Sequence, residues 1–152
     1  MGIKKLKNFF VIILMVFNFY ILNARVAEIK MKNRIFPLKI TNLKFYHYKF
    51  IIPTSYLIVS LKEQRFKYMK FHINEIKKIE FKKFVGGRNF FPTYLVNIYL
   101  KNGGHYISAY NAPLKELNGY KNGKKWKLKL QLNGLYEKNI YNLKEIKFYE
   151  EN

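Results

Sequence analysis

Tyr94-Leu-Val-Asn-Ile-Tyr-Leu-Lys101, Asn102-Gly103-Gly104, His105-Tyr-Ile-Ser-Ala-Tyr110: this stretch decides the fold. Val96, Ile98 and Leu100 recur at every second position, while Leu95, Asn97 and Tyr99 take the alternate places. A period of two is that of a strand with one buried face. Asn-Gly supplies the positive φ angles that a tight reversal demands, so the two runs are expected to form an antiparallel hairpin.

Working outward, short apolar runs are separated by turn residues every 8–12 positions, the spacing of an all-β domain. Towards the N-terminus these are Ile35–Ile40, Leu43–Ile52, Tyr56–Leu61, Phe66–Ile73 and Ile76–Val85, with Pro53-Thr-Ser, Lys62-Glu-Gln-Arg65 and Gly86-Gly87 as punctuation. Towards the C-terminus, Leu114–Leu117 reads as a helical turn, and Asn118-Gly119 and Asn122-Gly123 read as reversals. Lys124-Lys-Trp-Lys-Leu-Lys-Leu-Gln-Leu132 alternates as a strand. Leu128, Leu132, Leu135 and Tyr136 also fit a helical stripe, and the run lacks β-branched residues, so strand and helix both stand for 124–136. Leu117-Asn-Gly-Tyr-Lys-Asn122 and Leu132-Asn-Gly-Leu-Tyr-Glu-Lys-Asn139 form a faint echo. The expected fold is mainly β: a small antiparallel barrel or sandwich with at most one C-terminal helix, after an N-terminal hydrophobic helix.

That first helix is read from residues 1–24. Lys4, Lys5 and Lys7 precede an apolar run from Phe9 to Leu22, and Ala24 follows. A basic head, a short apolar stretch and a small residue form the pattern of a secretory signal peptide. The 14-residue run is short for a membrane span, but Leu22 and Arg25 make a poor cleavage site, so an uncleaved anchor is the competing reading. Both divide the chain into a targeting segment, 1–24, and one domain, 25–152, in the cell envelope.

The chain has no cysteine, which excludes disulfides, thiolate nucleophiles and Cys-based metal sites. It carries a net charge of +20, and removing residues 1–24 leaves +17, so the excess belongs to the domain. Twenty-five lysines stand against four arginines, which A/T-rich codons alone could produce. Such codons do not account for nine glutamates and no aspartate. The balance points to an anionic partner. Lysine attracts anions as a mobile point charge, whereas base edges are read by the planar fork of arginine, so adhesion fits better than sequence readout.

From about Ile51 to Lys138 the order of elements resembles a bacterial PH-like domain: a strand like Ile73-Asn-Glu-Ile-Lys-Lys-Ile-Glu-Phe81, then a hairpin like Tyr94–Tyr110, then a closing helix. The resemblance implies two nearly orthogonal sheets capped by that helix, often attached to membrane segments. It transfers no ligand or catalytic residue.

Catalytic chemistry finds no foothold. His47, His72 and His105 fall in separate elements, each expected as a half-exposed strand residue, with no metal-ligand spacing between them. No serine lies in a nucleophile elbow, no glutamate pair stands out, and no glycine run has phosphate-loop spacing. The chain is therefore read as non-enzymatic, with no catalytic, metal or cofactor residue. Basic residues interleaved with aromatics remain, and strand alternation would send the aromatics inward and the lysines to water. The expected anion-binding residues are Lys44, Lys49, Lys67, Lys70, Lys82 and Lys83. The expected role is binding or scaffolding at an anionic envelope surface, lipid or polymer. The alternatives are a membrane-anchored nucleic-acid-binding protein, and an accessory subunit on an acidic protein partner.

Overall fold

The computed structural model describes residues 25–48, 52–61, 64–88, 91–111, 113–130 and 141–150. Residues 1–24, where the hydrophobic helix was expected, and residues 131–136 of the stretch left open between helix and strand lie outside these. Ten strands follow one another: β1 (Arg25–Met31), β2 (Leu38–His47), β3 (Tyr56–Leu61), β4 (Gln64–His72), β5 (Ile76–Arg88), β6 (Phe91–Leu100), β7 (His105–Asn111), β8 (Leu114–Lys121), β9 (Lys124–Lys129) and β10 (Leu143–Glu150). They form one antiparallel sheet in the order β4-β3-β7-β6-β5-β10-β1-β2-β8-β9. The sheet is not a closed barrel, because β4 and β9 stand at its two ends.

It nevertheless coils. β4 and β5 are first and fifth in the order, yet only Ile73, Asn74 and Glu75 join them. A link that short requires the sheet to bend back until the two strand ends meet. Phe45 on β2 also exchanges both backbone hydrogen bonds with Thr54, just before β3, at 2.8 Å each. Beside this bridge His47 is buried, 1 % exposed, with Nε2 3.3 Å from the Tyr56 carbonyl and 3.4 Å from the Ile58 amide. The expected half-exposed histidine is instead a polar wedge joining β2 to β3. Ile29, Ile40, Phe45, Val59, Ile79, Val96, Ile98 and Leu117 meet inside the coil as one core.

The 94–110 hairpin forms as expected, with Val96 and Ile98 buried and Leu100 packed against the core. Its loop is longer than a two-residue turn: Gly103 alone has a left-handed φ, +89°, and the Leu100 amide donates to the Gly104 carbonyl at 2.8 Å. Asn122-Gly123 is the tighter turn, with φ of +50° and +74°, the type I′ signature. Lys124–Lys129 is a strand.

Other expectations are corrected. Leu114–Leu117 is not a helical turn but the start of β8, and Asn118-Gly119 lies inside that strand. Gly86-Gly87 does not break the chain; it continues β5 past a register shift, opposite Thr93 and Pro92. Glycine is at home in such a bulge, where pairing is irregular but not ended. Gln64 and Arg65 belong to β4 rather than to a turn. Arg25–Met31, to which no element was assigned from the sequence, is a strand near the middle of the sheet, paired with β10 and β2.

One irregularity sets the outer surface. On β2 the buried positions run Leu38, Ile40, then Leu43, Phe45, His47. The change of parity falls at Asn42, a residue in the left-handed region at φ +51°, where the register with β8 shifts. A one-residue bulge exchanges inner and outer faces beyond it. Lys44 faces water because of it.

Candidate functional site

A strongly basic surface is the outer face of β2, β8 and β9. These strands hold eight lysines, two on β2, two on β8 and four on β9, with Glu116 as their only carboxylate. The register builds rows across them: Thr41, Tyr120 and Lys125; Lys44, Asn118 and Lys127; Tyr46, Glu116 and Lys129. Residues directly opposite in adjacent strands share a face. Lys44, Lys125, Lys127 and Lys129 are therefore on one surface, and all four are exposed. Along β9 the lysines recur every second residue, roughly 6.8 Å apart, and Lys44 lies two strands from Lys127, roughly 10 Å. Glu116 is largely buried, with Lys127 Nζ 3.9 Å from its carboxylate, while Lys115 Nζ sits 4.7 Å above the Tyr46 ring. One buried carboxylate leaves the row strongly cationic.

The β9 lysines also suit an edge. A terminal strand presents unpaired backbone groups, and lysines discourage another strand from adding there. The inward residues of the alternation, Trp126 and Leu128, pack against the core, and Leu130 is fully buried.

The six lysines expected from the sequence are not gathered into one patch. Lys44 joins the face just described. Lys70 is exposed on β4, at the opposite end of the sheet order, and Lys67 belongs to the same strand. Lys82 and Lys83 are exposed beside a register shift in β5, and Lys49 lies outside the described residues. Lys82 is also engaged, its Nζ 2.7 Å from Glu80. Sequence reasoning passed over Lys121, Lys124, Lys125, Lys127 and Lys129. The signal was the strict alternation from Lys124 onward, which places Lys125, Lys127 and Lys129 outward once the run is taken as a strand.

Elsewhere ion pairs gather at two places, around Glu80 and around Glu150. Glu80 lies between Lys78, at 2.6 Å, and Lys82, and accepts from the Tyr99 hydroxyl at 3.1 Å. These bonds, led by that of Lys78, hold its carboxyl well below the usual range, at about 2. The same contact raises the Lys78 ammonium, which also sits 4.2 Å over the Tyr99 ring. At the far end of β1, Arg25 is 8 % exposed and donates to the backbone carbonyls of Ile73 and Ile76. Its guanidinium lies 5.0 Å from the Phe148 ring, and burial lowers its pKa against the opposing pull of Glu150. Glu150 is itself bridged to Lys101 at 2.8 Å. Arg25, Asn74, Lys101 and Glu150 line an open cleft of about 310 Å³. With its cations already paired or bonded to carbonyls, this cleft is a structural joint and a weaker anion site than the β9 face. Among the described residues no three histidines or glutamates converge as metal ligands.

No family model matches this chain, and the searches of curated proteins and of solved structures returned no match either.

Proposed function

We propose that this chain is a non-enzymatic binding module that docks its 25–152 domain on an anionic surface of the cell envelope. One observation supports this above the others: Lys44, Lys125, Lys127 and Lys129 share one outer face with a single, largely buried carboxylate. Flexible ammonium groups at such spacing meet several phosphates at once without demanding one fixed geometry. The attraction is long-ranged at low salt and fades as the Debye length shrinks. Residues 1–24, exported or retained, would deliver the domain to that surface. Co-sedimentation of the full chain with vesicles tests the reading. Binding to anionic vesicles that exceeds binding to neutral ones and falls steeply with salt supports it, and equal binding to both sinks it.

A further inference from the structure

The turn between β1 and β2 presents its apolar residues to water. Ile35 is 92 % exposed and Phe36 79 %. Single exposed apolar residues are ordinary, but two large consecutive ones at the crest of a turn call for a covering partner. Their placement is built in: the Arg34 amide donates to the Met31 carbonyl at 3.3 Å, and Pro37 biases Phe36 away from helical conformations.

The second hairpin ends beside the first. β8 runs antiparallel to β2, with Thr41 opposite Tyr120 and His47 opposite Leu114. The Asn122-Gly123 turn therefore emerges at the same end of the sheet as the Ile35-Phe36 turn. Tyr141, about half exposed, is also there, because the Lys32 amide bonds the Asn142 carbonyl at 2.8 Å. Around the apolar crest stand Lys32, Arg34 and Lys39 from one hairpin and Lys121, Lys124 and Lys125 from the other, all exposed. Neither 29–44 nor 117–130 contains a carboxylate.

We infer that this end of the sheet is a membrane-insertion tip: Ile35 and Phe36 enter the acyl boundary of an anionic bilayer while the six cations hold lipid phosphates around them. This rests on the anionic-surface reading and names its partner as lipid. An apolar crest within a cationic ring matches the layering of a bilayer, with anionic headgroups outside and hydrocarbon within. Tyr120 and Tyr141 lie where amphipathic rings favour headgroup depth. A convex tip suits a surface that yields around it; a protein partner would need a preformed apolar pocket rimmed with acids.

The absence of cysteine makes the test specific to position. Ile35→Cys in the full chain, labelled with an environment-sensitive fluorophore, reports on the tip; Asn102→Cys, exposed on the β6–β7 turn near the Arg25 end, is the control. Anionic vesicles carrying a lipid-borne quencher in the acyl region should shift the emission at position 35 to the blue and quench it at least twofold more than at position 102. A water-like, unquenched probe at 35 on vesicle-bound protein overturns the insertion while leaving the anionic-surface reading intact. Equal quenching on neutral and anionic vesicles supports insertion but defeats the electrostatic reading. Failure to bind vesicles of either kind overturns both.

Discussion

Gly119→Ala is expected to destabilise the domain by about 2 kcal/mol, although glycine inside a strand is usually a weak point that alanine improves. Gly119 lies within β8 opposite Trp126, and its φ is not in the left-handed region, so alanine would meet no backbone strain. The obstacle is β2. A Cβ at position 119 would overlap Cγ2 of Ile40 and stand 2.9 Å from the Thr41 carbonyl oxygen, beside the Asn42 bulge. Overpacking of this kind costs about 1–3 kcal/mol, and the lower entropy of the unfolded alanine chain returns roughly 0.4–1 kcal/mol. The backbone oxygen cannot rotate away, which favours the upper part of the range. For a domain of this size a loss of about 2 kcal/mol lowers Tm by roughly 6–10 °C. Denaturant unfolding followed by far-UV circular dichroism measures it. Ile40→Ala removes the overlapping methyl, so a double-mutant cycle should show a favourable coupling of about 1 kcal/mol between positions 40 and 119. A Gly119→Ala protein as stable as the parent, or more stable, would refute the close approach of β2 and β8 at Gly119.

Arg25→Met keeps an apolar stem but strips the carbonyls of Ile73 and Ile76 of a charged donor, and should cost about 2–3 kcal/mol in the same unfolding assay. Arg25→Lys should recover only part of this, because one ammonium cannot reproduce the fork that reaches both carbonyls. Glu80 titrates at about 2 when folded, against an ordinary value near 4.5, so its contribution is complete above pH 4.5 and disappears as pH falls towards 2. Solvent screening limits that share to about 1 kcal/mol, and Glu80→Gln should flatten the acid limb of the stability–pH curve by this amount. Replacing Lys44, Lys125 and Lys127 together by glutamine should change unfolding free energy by less than about 0.5 kcal/mol. At roughly 1 kcal/mol per lysine near an anionic surface, the same change should weaken binding to anionic vesicles about 100-fold at low salt. An unchanged partition would remove this face from the binding surface.

Local pattern was legible wherever one strand face is buried without interruption. The Tyr94–Tyr110 hairpin and the alternation from Lys124 could be read because Val96, Ile98 and Leu100, and Trp126, Leu128 and Leu130, recur at every second position and each turn carries its own chemistry. Asn118-Gly119 misled for a physical reason: Asn-Gly permits a reversal but does not compel one, and here the glycine serves the close passage of β2. The parity change at Asn42 left no mark in the composition, and without it the facing of Lys44 could not be assigned from spacing. β1 was obscured by the apolar segment before it, although Ala27, Ile29 and Met31 alternate plainly. The candidate site was legible in kind, as lysine charge, but not in place. Which lysines share a surface depends on β2 pairing with β8, residues about seventy positions apart, and no local signal encodes that.

The position of β10 has a bearing on the timing of folding. The last described strand lies between β1, the first, and β5, and in the strand order it joins the β4-β3-β7-β6-β5 group to the β1-β2-β8-β9 group, a junction that the Phe45–Thr54 bridge supplements. Contacts of such sequence separation form slowly, because most of the chain must be ordered before they are made. The sheet cannot be completed until Leu143–Glu150 has taken its place between β1 and β5, so until then the domain stays incomplete and pliable.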